Sequence, residues 1–386
     1  MVHPRGLRFL APLVACLTVC TPQQIRYEPV ALAAPVADPI EAVVYLIGDA
    51  GEVNEARDAV LTHLRQDIES VSRLLASPPI TVAFLGDNVY DQGLPTDPTE
   101  EDTEKLAGQV RALGTGPNVR GVFLPGNHDW ANGASVLEGQ AAIARQRDWV
   151  ERVAPGRDIR FLPGDGCPGP ATLDVGASVH LVLIDTEWLL RSPEQHCGSA
   201  DDFYARLSAD LRMNRERPVV LLSHHPLVSG GPHGGNVALL ERGPFVYYLA
   251  RKAGAAIQDL SSRRYATMVR RLRAAIAASG VRPLAQAAGH DHTLQVIGMA
   301  ESDAPAFQLV SGAAAKSERS RRVDGGRFAT DGFGYMRLDF TPEDVALTVF
   351  ARDLGGGEVR AVFACLLSVN GNFGACPEAG LASAAR

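Results

Sequence analysis

The chain has 386 residues, 46% hydrophobic and 21% charged, which is enough apolar material for a sizeable core and excludes wholesale disorder. Its 37 Lys and Arg against 44 Asp and Glu leave a formal charge of −7 with no basic stripe, so no nucleic-acid partner is expected. Beyond the N-terminus no apolar run of about 20 residues occurs, which excludes a multi-span membrane protein.

The N-terminus reads as an export signal. His3, Arg5 and Arg8 give a positive start, and Phe9 to Val19 is a short apolar stretch bracketed by Pro12 and Pro22. Two processing routes compete. Ala31-Leu32-Ala33 offers a small-x-small cleavage site, whereas Leu13-Val14-Ala15-Cys16 resembles a lipobox that would lipidate Cys16. The expected location is therefore periplasmic or extracellular, with membrane contact only through such a lipid anchor. Residues 1–33 are assigned to the signal and the start of an Ala/Pro linker that runs on to Pro39.

After the linker, strands alternate with helices. Ala42 to Ile47 is a continuous apolar run that ends at Gly48-Asp49, and helical spacing follows over 55–76. Further strands are expected at Ile80 to Leu85, running into Gly86-Asp87, and at Val119 to Leu124, running into Pro125-Gly126-Asn127. Val179 to Ile184 leads into Asp185, Val219 to Leu222 into Ser223-His224, and Leu284 to Ala288 into Gly289-His290. Residues 236–280 read as helical, most clearly from Arg263 to Ala278. Ala306 to Val310, Gly334 to Phe340 and Val345 to Ala351 close the pattern as strands.

Cysteine usage agrees with export. Outside the signal, Cys167, Cys197, Cys365 and Cys376 remain, an even number that points to disulfides. Four cysteines allow three pairings, of which neighbouring pairs are the simplest; free buried thiols are the alternative. No CxxC pair supports a thiolate zinc site.

Five strand ends carry metal-capable residues: Gly48-Asp49-Ala50-Gly51, Gly86-Asp87-Asn88-Val89-Tyr90, Gly126-Asn127-His128-Asp129, Ser223-His224-His225-Pro226 and Gly289-His290-Asp291-His292. Each alone is weak, because a Gly-Asp pair is usually a turn and a lone His is usually structural. Their conjunction is not weak. In α/β sheets the ligand crevice lies beyond the carboxyl ends of the strands, so these blocks should converge. Two metals about 3.5–4 Å apart need a bridging carboxylate and enough hard and borderline ligands, which Asp, Asn and His supply.

The five blocks resemble the calcineurin-like metallophosphoesterases and, within them, the purple acid phosphatases of the small, tartrate-resistant type. Most members of that superfamily begin with Asp-x-His; here Gly51 holds the third position and Tyr90 follows Asp87, as in the purple acid phosphatases. The likeness spans roughly residues 42–350 and includes Thr293-Leu294-Gln295 and His233-Gly234. It implies an α/β fold with two central β-sheets flanked by helices, a catalytic domain over 40–352, and a C-terminal extension over 353–386. It further implies that Asp49, Asp87, Tyr90 and His292 hold a first metal, Fe(III). Asp87 would bridge to a second, Fe(II), Zn or Mn, completed by Asn127, His224 and His290. His128 and His233 match the two non-ligand histidines that face the phosphate. His225 stands where the family often has Tyr, and its role stays open. The 236–283 segment and Ser229-Gly230-Gly231-Pro232 depart from the pattern and bear on substrate choice.

The implied activity is hydrolysis of a small phosphate monoester by a metal-bound hydroxide. A phosphate dianion resists an anionic nucleophile, and two cations both neutralise it and lower the pKa of a bound water far below about 15.7. Competing readings are a divalent-metal phosphodiesterase or nucleotidase, and an exported binding module with an inactive site. The second is disfavoured because every ligand position is filled.

Overall fold

In the computed structural model, the residues described are 39–74, 77–191, 197–234, 258–321 and 323–368. Strand β1 (Ala42–Ile47) shows how the layers form. All six of its residues are buried, and the period of two sends them alternately to two cores. Val43, Tyr45 and Ile47 join the core beneath helix α1 (Glu55–Ser72), whereas Ala42, Val44 and Leu46 join the core shared by two sheets.

The first sheet continues in parallel through β2 (Ile80–Phe84), β3 (Val119–Phe123) and β4 (Ile159–Phe161). Helices α1, α2 (Glu100–Ala112) and α3 (Val136–Val153) make the crossovers. The second sheet holds β5 (Ala171–Val175), β6 (Val179–Ile184), β7 (Val219–Ser223), β8 (Ala285–Ala288), β9 (Leu294–Gly298), β10 (Phe307–Ser311) and β11 (Gly326–Thr330). Its order is β11-β9-β10-β8-β7-β6-β5, with β6, β7, β8 and β10 parallel. Strands β12 (Phe333–Phe340), β13 (Asp344–Asp353) and β14 (Gly356–Ser368) return to the first sheet, whose order is β14-β13-β12-β1-β2-β3-β4. The expected α/β fold with two helix-flanked sheets is thus observed.

Local chemistry sets the helix starts. Asn54, Thr99, Ser135 and Ser262 cap α1, α2, α3 and α6 (Arg263–Ser279), each accepting a backbone N–H from the first turn. Ser199 does the same for α5 (Ala200–Met213), in a capping box with Asp202. The short α4 (Thr186–Arg191) directly follows β6.

Two boundaries differ from expectation. Helix α1 ends at Ser72 rather than residue 76, and the described chain resumes at Ser77 before Pro78 and Pro79, which cannot extend a helix. The stretch read as the start of a C-terminal extension forms β14, the edge strand paired with β13. Its Phe363, Cys365 and Leu367 alternate into the inter-sheet core, so this segment completes the sheet. The signal region 1–33 lies outside the described residues. Cys167 and Cys197 form a disulfide, Cα to Cα 5.4 Å. Cys365 is also disulfide-bonded, and its expected partner Cys376 lies outside the described residues. No helix among the described residues is long and apolar enough to cross a membrane.

Candidate metal centre

The carboxyl ends of β1, β2 and β3 lie side by side in one sheet, and those of β7 and β8 in the other. Asp49, Asp87 and His290 follow their strands with φ of 60°, 53° and 70°. Left-handed backbone is unusual for residues with a Cβ, and it costs on the order of 1–3 kcal/mol where it is held. Among the described residues only Ala131 shares it apart from glycines. Strain therefore concentrates at three candidate ligands.

Neighbouring glycines leave room for the carboxylates. A Cβ on Gly126 would collide with Asp87 Oδ1, and one on Gly289 with Asp49 Oδ2. A Cβ on Gly51 would lie 2.6 Å from the backbone of Asp87, Asn88 and Val89, which accounts for glycine where an imidazole might have stood.

The side chains gather in two clusters. In the first, the Tyr90 hydroxyl donates to Asp49 Oδ1 at 2.9 Å and lies 3.2 Å from His292 Nε2, which is itself 3.5 Å from Asp49 Oδ1. In the second, His224 Nε2 lies 3.1 Å from Asn127 Oδ1 and 3.4 Å from Asp87 Oδ1. His224 Nδ1 donates to the Leu85 carbonyl at 2.8 Å, so its Nε2 is free to offer a lone pair. Ligand atoms of Asp49, Asp87 and His224 lie within 4.8 Å of one another and join the clusters. His290 is next to His224, ring centroids 5.1 Å apart, and its backbone N–H donates to Asp49 Oδ2 at 2.9 Å.

The non-ligand candidates stand at the rim. His128 donates its backbone N–H to Asp87 Oδ1 at 2.9 Å and points Nε2 to within 3.9 Å of Asp87 Oδ2, while Nδ1 donates to the Asp91 carbonyl at 2.7 Å. The His233 ring lies 4.2 Å from that of His290, with Nδ1 bonded to Asp259 at 3.0 Å. His225 is fully buried between Thr186 and Gln258, which gives it a structural setting behind the site.

Electrostatics follow from burial opposed by pairing. Burial pushes Asp87 up, but His224 and His128 hold it well below the usual carboxylate range. Burial lowers His224 and His292, yet Asp87 takes the first up to about 10, and Asp49 with Glu318 does the same for the second. Burial and the surrounding imidazoles hold His290 far below an ordinary histidine. Burial and the charges of Asp49 and Asp87 raise the Tyr90 hydroxyl.

Several residues that the sequence reading did not single out support this geometry. Asp129 accepts N–H bonds from Gly126 at 2.8 Å, Asn88 at 3.0 Å and Val89 at 3.2 Å, tying two blocks together. Burial, with the Asp87 charge nearby, raises its carboxyl to about 7. Glu318 lies 3.4 Å from His292 Nδ1. Lys316 sits 3.4 Å above the Tyr90 ring. Asp129 was visible as the fourth residue of its block, whereas Glu318 and Lys316 follow β10 in a loop with no motif. Asp185, at the end of β6, accepts from Trp130 Nε1 and the Trp188 backbone N–H and stays out of the cluster.

The donor chemistry fits cations. An imidazole lone pair, an amide oxygen and a carboxylate oxygen converge in one cluster, and a phenol, a carboxylate and an imidazole in the other. In the His224 cluster an extra proton or a metal relieves the convergence of electron pairs, in the Tyr90 cluster the phenol already donates to Asp49, and hard oxygen with borderline nitrogen suits divalent and trivalent ions. Asp49, Asp87, His224 and their neighbours could hold such ions.

A search of the curated proteins finds no match. Among solved structures, GAP50, the anchor in the inner membrane complex of Plasmodium, aligns with TM-score 0.54 at 12% identity, covering 86% of this chain and 89% of that one. PhoD aligns with TM-score 0.54 at 13% identity, covering 89% of this chain and 73% of that one. At such identities the likeness speaks to the fold. The family model for calcineurin-like phosphoesterase matches residues 42–252, which include the first four strand-end blocks. Since that match spans more than half of the sequence, the chain belongs to the calcineurin-like phosphoesterases, metal-dependent hydrolases of phosphoesters.

Proposed function

We propose that this phosphoesterase is a phosphate monoesterase of the acid-phosphatase type, exported, with a ferric ion and a second metal in its site. The observation that carries the reading is Tyr90: its hydroxyl meets Asp49 at 2.9 Å and His292 at 3.2 Å. A phenolate is a hard anionic ligand and suits Fe(III) better than Zn. In this reading Asp49, Asp87, Tyr90 and His292 hold the first metal. Asp87, Asn127, His224 and His290 hold the second, which is Fe(II), Zn or Mn.

The bound metals supply charge neutralisation and a nucleophile near neutral pH. The chain's own residues do the rest. His128, fixed through Nδ1 on the Asp91 carbonyl, turns Nε2 toward the site to exchange a proton with the leaving oxygen. His233, held by Asp259 beside His290, orients the phosphate. Its substrate is a small phosphorylated molecule, and the −7 charge argues against nucleic acid. Export is supported by the Cys167–Cys197 disulfide, which belongs to an oxidising compartment.

Metal-loaded protein should release phosphate from an aryl phosphate monoester faster than it cleaves the corresponding diester. Inactivity on the monoester from acidic to alkaline pH, with Fe, Zn and Mn each supplied, would end this reading.

A further inference from the structure

Two consecutive residues behind the site touch three of its histidines. The Gln258 backbone carbonyl accepts from His290 Nε2 at 2.8 Å, and its side-chain oxygen accepts from His225 Nε2 at 2.7 Å. The Gln258 amide nitrogen donates to Glu187 at 3.0 Å, and Glu187 is fully buried and paired with Arg191 at 2.5 Å. Asp259 bonds His233 Nδ1 at 3.0 Å, and the Leu260 N–H donates to the His233 carbonyl at 2.9 Å.

Each of these bonds has one allowed direction. A carbonyl oxygen can only accept, so His290 must carry its proton on Nε2, which leaves Nδ1 with the lone pair. A carboxylate likewise places the His233 proton on Nδ1 and turns its Nε2 lone pair outward. Donation runs one way from the Thr186 hydroxyl, 2.8 Å from His225 Nδ1, through His225 and the Gln258 amide to Glu187, which also accepts from Arg191. The side chain of Gln258 thereby anchors its own carbonyl against His290.

We propose that Gln258 and Asp259 form a positioning clamp that selects the tautomers of two site histidines, Nε2–H in His290 and Nδ1–H in His233. The proposal rests on the reading of His290 as a ligand of the second metal. Outer partners of this kind fix ring orientation and tune metal affinity. Neither residue belongs to the five strand-end blocks.

The test is heteronuclear NMR of nitrogen-labelled histidines in metal-free, full-length protein, which reads tautomers without any metal or activity. His290 should appear as the pure Nε2–H form and His233 as the Nδ1–H form. Gln258→Met should mix the His290 tautomers and weaken the second metal about 10–100-fold in chelator competition, leaving the first metal unchanged. Asp259→Ala should release the His233 tautomer and leave both metal affinities alone. An Nδ1–H or mixed His290 in the wild type would overturn the clamp. So would a Gln258→Met protein with wild-type tautomers and metal affinities. Should that variant fail to fold, the wild-type spectrum still decides. Expected tautomers in a protein that takes up no second metal would instead overturn the metal reading and leave the clamp standing.

Discussion

The Tyr90 hydroxyl reaches Asp49 Oδ1 at 2.9 Å although 41 positions of chain separate the two residues. The parallel pairing of β1 and β2 makes this possible, because it sets Ile47 beside Phe84 and so brings the turns that follow them together. Gly51 keeps that approach open, since a side chain there would strike the backbone at Asp87 to Val89. The phenol thus reaches the Asp49 side of the cluster through sheet register and one glycine.

The glycines beside the carboxylates give the first prediction. Gly126→Ala would drive a methyl into Asp87, the residue that links both clusters. The variant should fold but bind less than half of the wild-type metal, as measured by metal analysis after exhaustive loading. Full metal content would show that Asp87 has more freedom than its contacts imply.

Much of this site was legible in the sequence because its residues sit at strand ends, where a buried apolar run stops at a polar turn. Asp49, Asp87, Asn127, His224 and His290 all follow that rule, and the structure brings them together. His292 and Tyr90 lie two and three residues beyond such ends, within reach of the same place. Glu318, Gln258 and Asp259 were not legible, since they come from loops whose course depends on packing far along the chain. Strand β14 was missed for a related reason: Gly355-Gly356-Gly357 reads as a break, yet the turn is only Leu354-Gly355, and Gly356 already pairs with Asp353 as the hairpin continues the sheet.

Roles within the site separate by mutation. His128→Ala should keep both metals and lose about 10²–10⁴-fold in rate, the range of a general acid. His290→Ala should lose occupancy of the second metal and keep the first. Metal stoichiometry measured beside kcat distinguishes the two, and an emptied site in His128→Ala would make His128 a ligand.

The Cys167–Cys197 bridge closes a loop with a sequence separation of 30. Chain entropy gives such a loop about 3–4 kcal/mol of stabilisation. Replacing both cysteines with alanine should lower the denaturant midpoint accordingly. Peptide mapping of unreduced protein from its native compartment should recover the bridge; a free thiol at either position would contradict the compartment as well as the pairing.

His180 on β6 supplies a pH dependence away from the metal cluster. Burial lowers its pKa, but the carboxylates of Asp210 and Asp174, at 3.0 and 2.7 Å, raise it above an ordinary histidine. Arg217 also faces Asp174, at 2.8 Å. A raised folded-state pKa stabilises fully below about 6.5, and that contribution is lost as pH climbs through the folded value. Asp174 is held below its usual range despite burial, chiefly by bonds from His180 and Arg217, so its share is lost in the opposite direction, as acid protonates it. Urea midpoints of the wild type should therefore fall between neutral and alkaline pH relative to those of His180→Asn. Parallel profiles would remove His180 from the explanation.

The most direct test of the ferric reading is the visible spectrum of aerobically purified, active protein, recorded with its metal content and repeated for Tyr90→Phe. A phenolate on Fe(III) should colour the wild type violet with at least one iron per chain, and Tyr90→Phe should lose the band. The band should persist when the second metal is reduced or exchanged. A colourless wild-type protein holding two zinc ions with full monoesterase activity would contradict the ferric assignment and return Tyr90 to a hydrogen-bonding role.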